Sequence, residues 1–258
     1  DMGVNTSGNF GDLIEPRVSK IFYERYDQLP SRIQDFYAME SSSKQYEQWS
    51  SVGTLPNFTE FSGSVTYQSQ YQGYDVRATH KEFTNGFQVE RALYDDDQHG
   101  IWTRRPVALA ESAFRTRESH GARIFNNAFS SDSYFYNNTE GVSLCSDAHT
   151  TNATGVSTAR GFDNRRTSGL NASALASARI DMVDFRGDQA EKLSIMPNLL
   201  VVPPNLYAEA YEIVSSMGKP NSANNDANVH YGQYSVIEWN YLTDTNNWFL
   251  IDDRMMKQ

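Results

Sequence analysis

The sequence predicts an α+β fold, and three observations predict it. A polar, strictly alternating run lies before residue 83, one long amphipathic pattern follows residue 105, and helix and strand signals alternate from residue 141 onward. In the first of these, Phe61, Gly63, Val65, Tyr67, Ser69 and Tyr71 alternate with Ser62, Ser64, Thr66, Gln68 and Gln70. After Gln72-Gly73 a second extended run goes from Tyr74 to Phe83. Period two marks strands, so the pattern predicts a hairpin ribbon roughly 30 Å long at about 3.3 Å per residue. Neither face carries enough aliphatic surface to be covered by its own domain, and a lone two-stranded hairpin is marginal in water. Such a ribbon needs a neighbour to lie on.

The amino end reads as an arm. Met2 to Asp12 is small and polar. Glu15-Pro16 then opens a helical pattern whose stripe is Val18, Ile21, Phe22, Arg25 and Leu29, ending near Pro30. Ser41-Ser42-Ser43 marks a joint before an irregular stretch anchored by Tyr46, Trp49, Leu55 and Phe58. Long irregular stretches inside compact domains are uncommon and often functional. The arm is therefore expected to clasp a neighbouring molecule, the alternative being a helix packed on its own domain.

Beyond the ribbon, Phe87, Val89 and Arg91 alternate with Gln88 and Glu90 in a short strand over 84–93, closed by an acidic corner, Asp95-Asp96-Asp97. Pro106 suits a first helical turn. Leu109, Ala110, Ala113, Phe114, Arg117, Gly121, Ile124, Phe125 and Ala128 then recur at helical spacing. About 23 residues at 1.5 Å each make a rod of roughly 35 Å. Gly121 inside it costs about 1 kcal/mol relative to alanine, which suggests a close backbone approach there.

In the remaining half, Asn171 is placed to cap a helix carrying Leu175, Ala178, Met182 and Phe185, with Gly187 as its stop. A buried strand runs from Leu193 to Val202 and ends at Pro203-Pro204. A further helix carries Leu206, Ala210, Ile213, Val214 and Met217. Lys219 to Tyr231 is a polar loop, and strands at Ser235–Asn240 and Asn247–Asp252 close the chain around a Leu242-Thr243-Asp244 turn.

Composition removes several function classes. A chain of 258 residues with 39% hydrophobic and 21% charged residues is ordinary for a globular fold. A net charge of −10 argues against a sequence-independent nucleic-acid binder, which needs a concentrated basic surface. The longest purely aliphatic run, Leu199 to Val202, is far too short to cross a bilayer, so no membrane partner is expected. The single cysteine, Cys145, excludes an internal disulfide and fits a reducing cytosol.

No catalytic, cofactor or metal site is expected, and the chain does not read as an enzyme. Ser146, Asp147 and His149 lack the glycine-flanked elbow a hydrolase nucleophile needs. Asp95, Asp96, Asp97 and His99, like Asp244, Asp252 and Asp253, read as solvated corners or turn and strand-end residues before they read as metal ligands. Guanidinium forks suit bidentate pairing with carboxylates across interfaces. The expected inter-subunit residues are therefore Tyr67, Tyr71, Tyr74, Arg77, Arg91, Arg104 and Arg105, with Asp95, Asp96 and Asp97 as a partner set. The rival from residues alone is a carbohydrate-binding or adhesin-type module using Tyr67, Tyr71, Tyr74 and Trp102 as stacking platforms.

Several ordered blocks carry a resemblance. They are Thr79-His80-Lys81-Glu82-Phe83, Gly86-Phe87-Gln88-Val89-Glu90-Arg91, Asp95-Asp96-Asp97, Arg115-Thr116-Arg117-Glu118 and Phe125-Asn126-Asn127-Ala128-Phe129. Later come Gly141 to His149, Leu199-Leu200-Val201-Val202-Pro203-Pro204, Tyr241-Leu242-Thr243-Asp244 and Asn247-Trp248-Phe249-Leu250. In this order they resemble the major head subunits, or major capsid proteins, of Mu-like tailed bacteriophages and prophages. The resemblance implies the Hong Kong 97-like capsid fold, with an N-terminal arm over 1–57, an E-loop hairpin over 58–83, a P-domain with a spine helix over 84–140, and mainly A-domain over 141–258. It further implies a structural protein that self-assembles through pentamers and hexamers into an icosahedral shell around double-stranded DNA, without sequence-specific contacts. Implied partners are other copies of the chain, scaffold and portal proteins, and a decoration protein; the implied location is the virion capsid, assembled in the bacterial host cytoplasm.

Two departures from the family pattern stand out. No lysine lies between Gly63 and Arg77, so the covalent cross-linking seen in the fold's namesake is not expected. Similar proteins continue past the position of Lys257-Gln258 with strands and a helix that complete the P-domain, so that completion is expected to be missing here.

Overall fold

The computed structural model describes residues 11–88, 100–131, 136–220, 222 and 226–256, which divide into two compact units. The first comprises residues 1–33 and 82–121, the second 34–81 and 122–258. The helices are α1 (Gly11–Asp27), a four-residue α2 (Ile33–Phe36), α3 (Ile101–Asn126), α4 (Ala172–Val183), α5 (Tyr207–Ser215) and a terminal turn α6 (Asp253–Met256). The strands are β1 (Tyr46–Val52), β2 (Gln72–Thr79), β3 (Tyr136–Asn138), β4 (Leu199–Val202), β5 (Ser235–Glu238) and β6 (Phe249–Ile251). Helix and strand are mixed, in keeping with an α+β reading.

In the first unit the predicted stripe of α1 is the side it covers. Val18, Ile21, Phe22, Arg25, Tyr26 and Leu29 are half-buried, while Tyr23 and Glu24 stand in solvent. Part of that cover comes from the chain's own long helix. Arg25 donates to Glu111 at 2.7 Å, Arg117 donates to the Tyr26 hydroxyl at 3.2 Å, and Tyr26 meets Phe114 edge-on at 6.4 Å. Beyond α1, the buried Glu118 carboxylate accepts from the Ser31 hydroxyl at 2.5 Å and the Arg32 amide at 3.4 Å. Its aromatic edge and Arg25 find partners within the same unit, which favours the alternative of a helix packed on its own domain for this segment.

Helix α3 begins five residues before the expected proline start, so Pro106 lies inside it, as Pro16 lies inside α1. Each proline leaves one carbonyl of its first turns without the usual helical donor. The 26 residues of α3 make a rod of about 39 Å at 1.5 Å per residue. Residues 84–88 form no regular strand, and the rest of the short strand expected over 84–93 lies outside the described residues.

The second unit contains both sheets. The first has the order β1-β2-β3, all antiparallel. Its ribbon differs from the expected hairpin. β2 pairs not with residues 61–71 but with β1, in the register Tyr46↔Thr79, Gln48↔Arg77 and Trp49↔Val76. Residues 53–71 connect the two strands without regular structure. The alternation over 61–71 misleads because it interleaves aromatics with glycine and serine, leaving no cross-strand partner of matching bulk. β1 offers Tyr46, Trp49 and Val52 instead. Two glycines allow the close pairing: a Cβ on Gly53 would lie 2.7 Å from the Tyr71 carbonyl oxygen, and one on Gly73 2.0 Å from the Ser51 hydroxyl, where the register slips.

The second sheet has the order β5-β4-β6, with β4 parallel to β5 and antiparallel to β6. All four residues of β4 are buried, which explains why this strand reads as a continuous apolar run. It is shorter than the expected Leu193–Val202, and β5 and β6 are trimmed in the same way. Pro204 opens a single 3₁₀ turn into α5, so the proline pair ends the strand as expected. Leu170, Leu175, Leu200, Val202, Ala210, Ile213, Val214 and Tyr234 form one core beneath α4 and α5. A second cluster is aromatic: Phe36 stacks on Trp239 at 4.9 Å, and Phe125 meets Phe249 edge-on at 5.1 Å. Asn171 caps α4 as expected, its side chain accepting from the Ala174 amide at 2.8 Å. The helix stops at Val183, four residues before Gly187, because Asp184 leaves helical geometry and Gly187 serves a separate turn closed by Glu191.

Candidate assembly surfaces

The connection between β1 and β2 is the most exposed apolar segment described. Leu55 is 53% exposed, Phe61 72%, Val65 67% and Tyr67 91%, and Phe58 is fully exposed. Its two ends are fixed. The Gly53 amide donates to the Tyr71 carbonyl at 2.7 Å, and the Gln189 side-chain amide donates to the Ser69 carbonyl at 2.7 Å. Between those anchors the aromatic side chains face solvent, so the segment is a tethered loop with an uncovered apolar load.

The same sheet places the other predicted ribbon residues. Tyr74 is half-occupied by its own chain, its hydroxyl 2.6 Å from the Thr150 hydroxyl. Tyr71 is half-buried at the loop's exit. Arg77 sits in the central strand with its guanidinium 3.7 Å from the centre of the Tyr46 ring, a cation–π contact inside the ribbon. Arg104 and Arg105 are exposed near the start of α3. Arg91, Asp95, Asp96 and Asp97 lie outside the described residues, as does the metal alternative that added His99. The side chain of Trp102 lies outside them too.

A second set of exposed apolar side chains lies along α5 and the loop that follows it. Tyr207 and Tyr211 lie one helical turn apart with ring centres 6.1 Å from each other, 39% and 55% exposed. Met217 and Val229 on the following loop are 74% and 77% exposed. Asn228 anchors that loop: its side-chain amide donates to the Ile213 and Ser216 carbonyls at 2.6 and 2.7 Å, supplying donors to carbonyls at the helix end. The sequence pattern puts Met217 on the helix stripe, but α5 ends at Ser215 and leaves Met217 exposed; the loop reads as polar despite Val229, and Tyr207 and Tyr211 at i and i+4 were a legible sign of this surface.

A groove of about 740 Å³ in the same unit is walled by Phe125, Phe129, Met182, Phe185 and Trp248, with Arg166 and Asp181 paired at its rim. Cys145 lines it, and burial pushes its thiol up to about 11, away from the reactive thiolate. Arg165 lies 5.8 Å from the centre of the Phe129 ring.

The weighed catalytic residues do not converge. His149 places one ring nitrogen 3.0 Å from Glu140 and the other 3.3 Å from the Leu144 carbonyl, while the Ser146 hydroxyl accepts from the Ala148 amide. Asp244 accepts from the Asn246 amide in a turn. Asp252 accepts from the Met196 amide, and Asp253 pairs with Asn198 at the end of β6. Among the described residues no group of three histidine, cysteine or acidic side chains is placed to hold a metal ion. No described helix is long and apolar enough to cross a membrane.

Comparison with known proteins adds the fold's relatives. No curated protein matches the chain. Among solved structures, the chain is similar to one in the procapsid of bacteriophage JBD30, with a TM-score of 0.62 and 17% identity, covering 91% of this chain and 100% of that one. The JBD30 capsid gives a TM-score of 0.65 at 15% identity, covering 84% and 92%. The JBD30 capsid decorated with minor capsid protein trimers gives 0.58 at 16%, with the same coverage. At such identities the likeness is one of fold. The family model described as phage capsid protein matches residues 73–257, well over half of the sequence, and the chain therefore belongs to that family of phage capsid proteins.

Proposed function

We propose that this chain is the major head subunit of a Mu-like phage or prophage, assembling through pentamers and hexamers into an icosahedral shell around double-stranded DNA. The observation that carries the reading is the tethered loop over 53–71, whose five large apolar side chains are all more than half exposed in their own chain. Neighbouring copies supply their cover. The role is structural and not catalytic, and its place is the virion capsid, built in the host cytoplasm. In Hong Kong 97-like terms the ribbon and its loop act as the E-loop, α3 as the spine, and the α5 end with its loop as the axial contact.

The net charge of −10 suits a container wall that does not adhere to its cargo. Tyr67, Tyr71, Tyr74, Arg77, Arg104 and Arg105 belong to inter-subunit contacts in this reading, with Arg91 and Asp95 to Asp97 as a charged set. Scaffold and portal proteins are the assembly partners. A decoration protein is a further one, a suggestion supported by the decorated JBD30 capsid.

Mass photometry of the purified chain, with negative-stain imaging of large species, tests the proposal. Rings of five or six, closed shells or sheets are expected, and Arg77→Glu is expected to remove them while the monomer stays folded. A monomer at every concentration and salt, with or without scaffold, would overturn it and direct attention to glycan binding.

A further inference from the structure

The segment 82–88 carries the chain's one Asn-Gly pair, Asn85-Gly86, in exposed, irregular backbone. The Gly86 amide nitrogen lies 2.9 Å from the side-chain oxygen of Asn85. That contact is a hydrogen bond donated by the Gly86 N–H, which opens before the nitrogen can turn its electrons on the adjacent carboxamide carbon. The Asn85 side chain is steadied from its other end, its amide nitrogen donating to the Ser112 hydroxyl at 3.3 Å. A Cβ built on Gly86 would meet nothing within 4 Å, so no neighbouring group obstructs the backbone there. Glycine also gives that backbone the widest conformational freedom for ring closure.

From this exposed, irregular and unobstructed Asn-Gly pair we infer that Asn85 is a site of spontaneous deamidation in the folded chain. The Gly86 nitrogen loses its proton to solvent base and attacks the Asn85 side-chain carbonyl carbon. The new C–N bond closes a five-membered imide, and the side-chain nitrogen leaves as ammonia. Water then opens the imide at either carbonyl, giving aspartate or the isoaspartyl linkage; nothing is oxidised or reduced. Each event adds a negative charge to a chain already at −10, and the isoaspartyl route inserts a methylene into the backbone beside α3. The site thus records the age of each copy, whatever the copy assembles into.

The test is incubation of the folded full chain at mildly alkaline pH in oxygen-18 water, followed by tryptic mapping. The peptide 82–91 is expected to gain the mass of an amide-to-acid conversion with label incorporated, faster than any other asparagine peptide. It should resolve into two products, speed up as pH rises, and proceed in the folded chain as well as in urea. Gly86→Ala should slow it severalfold and Asn85→Gln should abolish it. An unchanged 82–91 peptide while other asparagines convert would overturn the inference. So would protection by folding, or equal conversion in Gly86→Ala.

Discussion

The two sheets of the second unit each have three strands and one central strand paired on both sides, yet they hold themselves together differently. In β4 every side chain is buried, and Leu200, Val201 and Val202 have no exposed surface. In the β1–β2 ribbon, Trp49 is 53% exposed and Val52 72%. Backbone pairing is therefore not what distinguishes them. Burying a Leu or Val side chain contributes about 1.5–3 kcal/mol, whereas a cross-strand pair on an open face contributes roughly 0.2–1 kcal/mol. The β4 sheet is stabilised by its own cover. The ribbon is held by its anchors, Thr150, Asn152 and Gln189, and keeps its apolar surface for something outside the chain.

The comparison breaks most readily at the centre of β4. Leu200→Ala deletes a fully buried side chain from the core formed with Leu175, Ala210 and Ile213. It is expected to cost about 2–5 kcal/mol, read as a lower urea midpoint for the second unit. A loss below about 1 kcal/mol would mean that the sheet does not depend on its cover, and the contrast with the ribbon would fail.

A smaller effect sharpens the same contrast from its charged edge. Hydrogen bonds from Lys192 and then Arg160 hold the Asp184 carboxyl below the ordinary carboxylate range. Its folded pKa lies below the unfolded one, so the stability it contributes is present above the unfolded value. As pH falls through the folded value, that contribution is lost. Urea titrations across the acid range are expected to show a flatter stability–pH profile for Asp184→Asn than for the parent chain. Identical slopes would remove Asp184 from the forces that hold the α4 end in place.

How much of this was legible depended on whether a segment's partner lay nearby in the same pattern. β4, the Asn171 cap and the stripe of α1 were readable because apolar periodicity or a capping side chain specifies them locally. The ribbon was half-readable. β2 falls on the second extended run, but its partner β1 lies before it, beyond an irregular connection over 53–71, and strand pairing across such a gap leaves no local signature. Pro106 and Pro16 misplaced helix starts because the first-turn rule is a preference, and both helices continue backward through the proline. The aromatics of the connection were visible as residues, but only the structure shows that the chain leaves them uncovered. Arg77 was picked for interfaces on charge alone, and the fold gives it Tyr46 within the ribbon.

The mildest prediction for stability is the sharpest for the comparison. Phe58→Ser, Phe61→Ser and Tyr67→Ser together alter three side chains that are 107%, 72% and 91% exposed in the chain by itself. Surface substitutions away from caps, cores and buried networks usually stay within about 0.5 kcal/mol each, so the urea midpoint of the monomer should scarcely move. If the loop carries an apolar load meant for a neighbouring copy, the same variant should lose large species in mass photometry. Anchoring aromatics buried at an interface commonly cost about 2 kcal/mol or more each when removed. A drop in monomer stability would show that the loop folds onto its own chain, and unaltered large assemblies would show that the neighbour's cover lies elsewhere, with Tyr207, Tyr211, Met217 and Val229 as the next surface to change.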